Sequence, residues 1–422
     1  MSTSQYIIAI VIVCISYLGL LLCSRNYRQL QPSTMHTITW LFVGILLYFS
    51  TTGSIGDKSV SDYDLSAPFI FGMIVSSIVG FTTAHFIVGE EKHSQIKFRI
   101  NYVNYLLQRY RWIIYVCFIS GLLIVYFLVT LVGFDKLSDY RIAAVTTQRV
   151  GVFAIVQRIS GHVSLLGAFY LGLLGYKHAK IEINLKELFI CILMYGMTNI
   201  AIAGRAWITM SLLPYLIVYF IAKHDTGLKS RAVFFDKNLR KLLTVLIFVS
   251  IFFSVWGMLR NDITSGEERF IDKFLYYTDG SGVTNIVMHA FPDGSFPLEY
   301  GRNEFLSFLM TSPMQVKFMN FISDDIGLMV TVPSTMPSLY FDYGYLGGII
   351  MWGVFCLLLE LLFYRLKRNN SILSLFIIII ITKMMFQAPI GPVFSSAIPS
   401  LEWLVILYVF RKKLFHPELA KK

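Results

Sequence analysis

"LFICILMYGMTNIAIAGRAWITMSLLPYLIVYFIA", residues 188–222, is apolar almost from end to end, and only Gly204 and Arg205 part it into two runs. Each run, Leu188–Ala203 and Ala206–Ala222, approaches the ~20 apolar residues that an α-helix needs to cross a bilayer. Read together they are two membrane helices joined by a tight turn. Gly204 lets the chain reverse, and Arg205 stands at the tip near one membrane surface. An arginine between two oily helices is the feature that calls for a reason.

Runs of the same kind recur along the whole chain, which is 56% hydrophobic and 14% charged. A soluble domain carries about 25% charged residues. The spacing predicts eleven helices, roughly Tyr6–Cys23, Ile38–Thr52, Ala67–Val88, Trp112–Val132, Val152–Tyr176, Leu188–Ala203, Ala206–Ala222, Leu242–Met258, Ser338–Tyr364, Ser371–Gln387 and Leu401–Phe410. The expected fold is all-α: one polytopic transmembrane domain over residues 1–422, with a long loop, 259–337, inside it. The start, "MSTSQYIIAIVIVCISYLGLLLC", has neither a basic n-region nor a small-residue cleavage site, so it reads as a retained helix. Five dispersed cysteines inside apolar runs predict neither a disulfide framework nor a metal site.

The net charge of +11 follows from topology and does not point to nucleic acid. "SRNYRQLQ", "EEKHSQIKFRINYVNYLLQRYR", "KHAKIEINLKE", "KHDTGLKSRAVFFDKNLRK", "YRLKRNN" and "RKKLFHPELAKK" are rich in Lys and Arg. They alternate with "GSIGDKSVSDYDLS", 133–151, the Ala-Gly-Arg turn, 259–337 and "PIGPVFSSAIPS". The basic set is expected in the cytoplasm, which puts the N-terminus outside and the C-terminus inside. The basic segment 96–111 reads either as an amphipathic helix on anionic headgroups or as an ordinary juxtamembrane flank.

Ionisable groups inside the spans are few: Arg158, His162, Glu360 and Lys383. Arg158 and His162 share a helix face, with Arg158 ~9 Å from the helix's external end. It reads either as lining an outward cavity or as snorkelling to the surface. The external side is richer. It carries Arg141, Arg149, Arg158, Arg205, Arg260, Arg269 and Arg302, against the lysines Lys58, Lys136, Lys273 and Lys317. Arginine holds its charge in poorly hydrated places and grips phosphate bidentately. Several external loops converging on a polyanion would account for it, and ion pairing with loop carboxylates is the plainer alternative.

Loop 259–337 is too long for a mere connection. "EERFIDKFLYY" and "GRNEFLSFLM" have helical apolar spacing, with the turn chemistry of "FPDGSFP" between them. Amphipathic helices capping the outer surface as a lid are expected. Candidate general bases in the loop are His289, Glu267 and Glu268, with simple solvation of His289 and helix N-terminal placement of the acids as the alternatives.

At "TVPSTMPSLYFDYGYLGGIIMWGVFCLLLELLFYRLKR", residues 331–368, an aromatic–acid–aromatic–Gly step runs into a long helix with a basic end. Together with the Gly-Arg turn, the helix number and the long external loop, this resembles the Wzy-type oligosaccharide repeat-unit polymerases of bacterial surface polysaccharide assembly. Arg269 and Gly280 also match an Arg-x10-Gly pattern of such loops. The resemblance implies a GT-C-like membrane glycosyltransferase in the bacterial inner membrane. It would join undecaprenyl-diphosphate-linked oligosaccharide repeats at the outer face and release the polyprenyl diphosphate. Arg205, Arg141, Arg149 and Arg158 would hold the diphosphate, and Arg260, Arg269 and Arg302 the diphosphate or the glycan. The implied partners are membrane lipid, a chain-length regulator and a flippase; no cofactor, metal or nucleic acid is implied. Tyr276, Tyr277, Tyr300, Tyr340 and Tyr343 would stack on sugars or belong to the interfacial aromatic belt. An O-antigen-ligase-like glycosyltransferase and a flippase for lipid-linked sugars are the competing expectations.

Overall fold

The computed structural model describes residues 2–23, 31–51, 63–89, 98–132, 151–203, 206–224, 241, 244, 279–292, 335–369 and 371–389. Among them the regular elements are all helices: α1 Thr3–Cys23, α2 Pro32–Thr51, α3 Ser66–Val88, α4 Ile100–Arg109, α5 Trp112–Val132, α6 Gly151–Lys180, α7 Leu185–Ala203, α8 Ala206–His224, α9 Asp279–Ala290, α10 Thr335–Asn369 and α11 Ile372–Gln387. Five helical stretches, Thr3–Leu21, Pro32–Ser50, Ser66–Val88, Ile100–Phe127 and Thr335–Asn369, are long and apolar enough to cross a membrane. This is a helical, multi-pass membrane protein. The expected helices over 242–258, apart from Thr244, and over 401–410 lie outside the described residues.

The chain divides into two compact units. The first comprises Met1–Ser94, Glu268–Arg368 and Ile380–Leu404. In it α1 packs on α2 and α3, and α9 packs on α3. Helices α3 and α10 meet through small residues. Gly72, Ser76 and Gly80 recur every four residues and form one stripe on α3. A Cβ placed on Gly80 would collide with the Gly353 carbonyl, and one placed on Gly353 would collide with Ser76. Lipid is as apolar as leucine, so membrane helices associate by such close backbone contact rather than by hydrophobic burial.

Helix α2 begins at Pro32, six residues before the expected start at Ile38. Proline at the first helical position loses no hydrogen bond. The polar run that follows reads as loop in sequence, yet Ser33, Thr34, His36 and Thr37 are buried. Helix α10 supplies partners for Ser33 and His36, while the Thr37 hydroxyl donates to Ser33 O of its own helix at 2.7 Å. Glu360 accepts from the Ser33 N–H at 3.1 Å and from the Ser33 hydroxyl at 3.2 Å. Trp352 Nε1–H donates to His36 Nε2 at 3.2 Å.

Helix α10 is longer than expected and is broken at Gly344, whose φ of 72° and ψ of −174° interrupt the helical backbone. That region is open essentially to glycine alone. The "YFDYG" step of the sequence is therefore a fixed kink between two helical stretches.

The second unit comprises Gln95–Glu267, Asn369–Ile379 and Val405–Lys422. Here α5 packs on α6 and α7, and α8 packs on α6. Gly175 lies against the Tyr215 backbone and Gly121 against the Met197 backbone. Helix α4 occupies most of the segment 96–111. Its apolar residues Val103, Leu106 and Leu107 are buried, and the helix packs on α6. Phe98 pins its start: its N–H donates to Tyr176 Oη at 2.7 Å, and that hydroxyl donates back to Phe98 O at 3.1 Å. The segment is thus a helix seated on its own chain, not a bare flank.

Candidate functional site

Within the first unit, the residues ahead of α3 meet α9. The stretch 279–290, "DGSGVTNIVMHA", lies between the two helical pieces expected in the loop 259–337. It folds as α9 because Val283, Val287 and Met288 form one apolar face, and all three are buried. Asn285 and His289, four residues apart, share another face. Asn285 Oδ1 accepts the N–H groups of both Leu65 and Ser66 at 2.9 Å. The amide thereby caps the N-terminus of α3 from a residue more than 200 positions away in the chain.

The other end of the same amide is aimed at Asp64. Asn285 Nδ2 donates to Asp64 Oδ1 at 2.9 Å, and His289 Nε2 lies 2.8 Å from the same oxygen. The hydrogen bond to His289 is the main reason Asp64 is held below the usual carboxylate range, with the Asn285 bond adding to it. An ionised carboxylate only accepts, so Nε2 of His289 carries the hydrogen between them. A neutral His289 ring then presents the lone pair of Nδ1. Both side chains are 54% exposed, so the pair is open to a substrate. His289 also sits in the last turn of α9. Such an arrangement can serve as an oriented general base: a carboxylate fixes the imidazole and is itself fixed by a buried amide.

Tyr340, from α10, ties down the residue that follows α9. Its hydroxyl donates to Phe291 O at 2.8 Å, and Phe291 packs on Phe341 with ring centroids 5.8 Å apart.

Of the residues singled out in the sequence, His289 is placed with its partners. Arg158 and His162 lie on α6. Arg141, Arg149, Arg205, Arg260, Arg269, Arg302, Glu267 and Glu268 lie outside the described residues, as do "EERFIDKFLYY" and "GRNEFLSFLM". Glu360 is buried against Ser33. Sequence reasoning missed Asp64 and Asn285. The available signals were the Asn-x-x-x-His spacing and an Asp immediately before a helix start, and both are weak. Comparison of the chain with protein families, with curated proteins and with solved structures finds no match.

Proposed function

We propose that the protein is a polymerase of lipid-linked oligosaccharide repeat units, acting at the outer face of a bacterial cytoplasmic membrane. It crosses the membrane about eleven times in a GT-C-like arrangement, with the N-terminus outside. The observation that carries the reading is the Asp64–His289 pair anchored by Asn285. It joins two segments, 53–66 and 259–337, that the charge pattern assigns to the same external side.

In this mechanism Nδ1 of His289 takes the proton of the acceptor sugar hydroxyl. The hydroxyl oxygen bonds to the anomeric carbon of the donor as the bond from that carbon to the diphosphate breaks, with inversion. Asp64 balances the charge of the protonated imidazole. The polyprenyl diphosphate leaves with two electrons of the broken bond, and preorganised cations stabilise the charge that develops on it. Arg205, Arg141, Arg149 and Arg158 are assigned that part, and Arg260, Arg269 and Arg302 the diphosphate or glycan. Glu267 and Glu268 are the alternative bases.

The test is a gel of surface glycans from cells in which the gene is deleted and replaced by variants. With the deletion or with Arg205→Ala, single capping repeats should remain and long chains vanish. His289→Gln should slow polymerisation by ~10²–10⁴, the usual contribution of a positioned base. Normal chain lengths in His289→Gln would overturn the assignment of the base. Free lipid-linked polymer in the deletion would mean a ligase, and repeats trapped inside would mean a transporter.

A further inference from the structure

The second unit contains a cavity of about 530 Å³ that the catalytic reading does not use. It is lined by α4, the start of α5, α6 and α7. Arg111, Lys177 and Glu187 line it, with Asn184 beside them and Tyr170 and Met194 further in.

Its chemistry is graded. Lys177 and Tyr170 are seven residues apart on α6, and Glu187 and Met194 are seven apart on α7. Each pair therefore shares a helix face with about 10 Å of rise between its members. The charged members lie at the helix ends and the apolar members lie deeper. Asn184 caps α7 by accepting the Glu187 N–H at 3.3 Å, which fixes the charged end at a helix terminus.

The charge at that end is counted residue by residue. Glu187 accepts from Lys177 Nζ at 2.9 and 3.0 Å and lies 3.4 Å from His178 Nε2. Hydrogen bonding to His178 first, then to Lys177, holds its carboxyl down at about 2. Arg111 lies over the Tyr115 ring at 5.7 Å and has no carboxylate partner among the described residues. With Lys177 and Glu187 cancelling, the cavity lining carries one net positive charge. Next to Arg111, Trp112 and Tyr115 are 45% and 41% exposed. Such aromatics at the start of an apolar helix sit at headgroup depth.

We propose that this cavity is a binding site for one anionic phospholipid. Its phosphodiester rests on Arg111 and the remaining donor of Lys177, and an acyl chain runs inward past Tyr170 and Met194. One net positive charge matches the single negative charge of a phosphatidylglycerol-type phosphodiester. The apolar depth gives it a use for the chain that free phosphate lacks. By the positive-inside pattern the site faces the cytoplasmic leaflet, where anionic lipids attract basic segments. It is independent of the glycan chemistry proposed above.

The test uses the full-length protein, purified and delipidated in detergent. Native mass spectrometry reads the binding of short-chain phosphatidylglycerol, short-chain phosphatidylcholine and inorganic phosphate. Phosphatidylglycerol should bind at least tenfold more tightly than either of the others. Arg111→Gln should remove that preference. Arg109→Gln should leave it intact, because Arg109 is on α4 outside the cavity and donates to Tyr105 Oη at 2.6 Å. Glu187→Gln should tighten phosphatidylglycerol binding by adding a net positive charge, and this serves where Arg111→Gln does not fold. Equal binding of phosphatidylcholine, equal binding of inorganic phosphate, an unchanged preference in Arg111→Gln, or weaker binding in Glu187→Gln would each overturn the site.

Discussion

Asn285→Ala tests the fold and the site together. The amide accepts two N–H groups at the start of α3 and donates to Asp64. In the alanine variant the Leu65 N–H is partly exposed and turns to water. The Ser66 N–H is buried, and a buried donor without a partner costs about 1–3 kcal/mol. Losing a helix cap costs about 1 kcal/mol by itself, and the two estimates describe overlapping bonds. A loss near 2 kcal/mol is therefore expected. Thermal unfolding in detergent reads it through a thiol-reactive dye, because Cys14, Cys117, Cys191 and Cys356 are free and buried until the chain opens. Asn285→Asp separates the two roles. It keeps an acceptor for the α3 N–H groups but sets a second carboxylate against Asp64, so it should recover the cap while losing the orientation of His289. Polymer length should then fall in both variants and stability mainly in the alanine. An Asn285→Ala protein within ~0.5 kcal/mol of the parent would refute the capping argument.

Asp64 is held below its ordinary range, so its contribution to stability is complete above the unfolded carboxylate value of about 3.9. It fades as pH falls through the lower folded value; the stability gap between the parent and Asp64→Asn should narrow from pH 5 to pH 3, and a widening gap would contradict the pairing. Gly344→Ala should cost about 1–3 kcal/mol, since its backbone lies in a region essentially restricted to glycine. Gly19→Ala, with open space around it, is the control, and equal melting of the two would remove the kink from the account. Cysteines at Ala290 and Glu182, both exposed, should react with an impermeant thiol reagent from opposite sides of the membrane, and labelling of both from one side would break the topology. Gly80→Leu should destabilise by at least the ~1–3 kcal/mol of overpacking, because its side chain meets backbone of α10; unchanged melting would show that α3 and α10 do not meet there.

The helices were legible in the sequence where apolar length alone decides them. Trp112–Val132 was read to the residue, since no charged residue interrupts it, Arg111 precedes it and Gly133 and Asp135 follow it. Helix α2 was read short because Ser33, Thr34, His36 and Thr37 are polar, and Ser33 and His36 find their partners in Glu360 and Trp352 from the far end of the chain. No local pattern announces such partners. The same limit hid Asn285, whose role depends on Leu65 and Ser66. Helix α9 was missed because Gly280 and Gly282 stand ahead of a short apolar set, Val283, Ile286, Val287 and Met288, whose burial is unknown from sequence. His289 was legible as a candidate because a lone external histidine stands out, but Asp64 beside it did not, being one of several acids in polar loops.

The contact between Gly80 and Gly353 also sets a clock. The two residues are 273 positions apart in the chain. At ~5–20 residues per second of synthesis, Gly353 follows Gly80 by roughly 14–55 s. Throughout that interval the stripe of Gly72, Ser76 and Gly80 has no helix from its final partner to lie against, and Asn285 has not yet arrived to cap α3. The first three helices must therefore wait in the bilayer as an unfinished assembly, and the exposed His289 is among the later parts of the unit to be put in place.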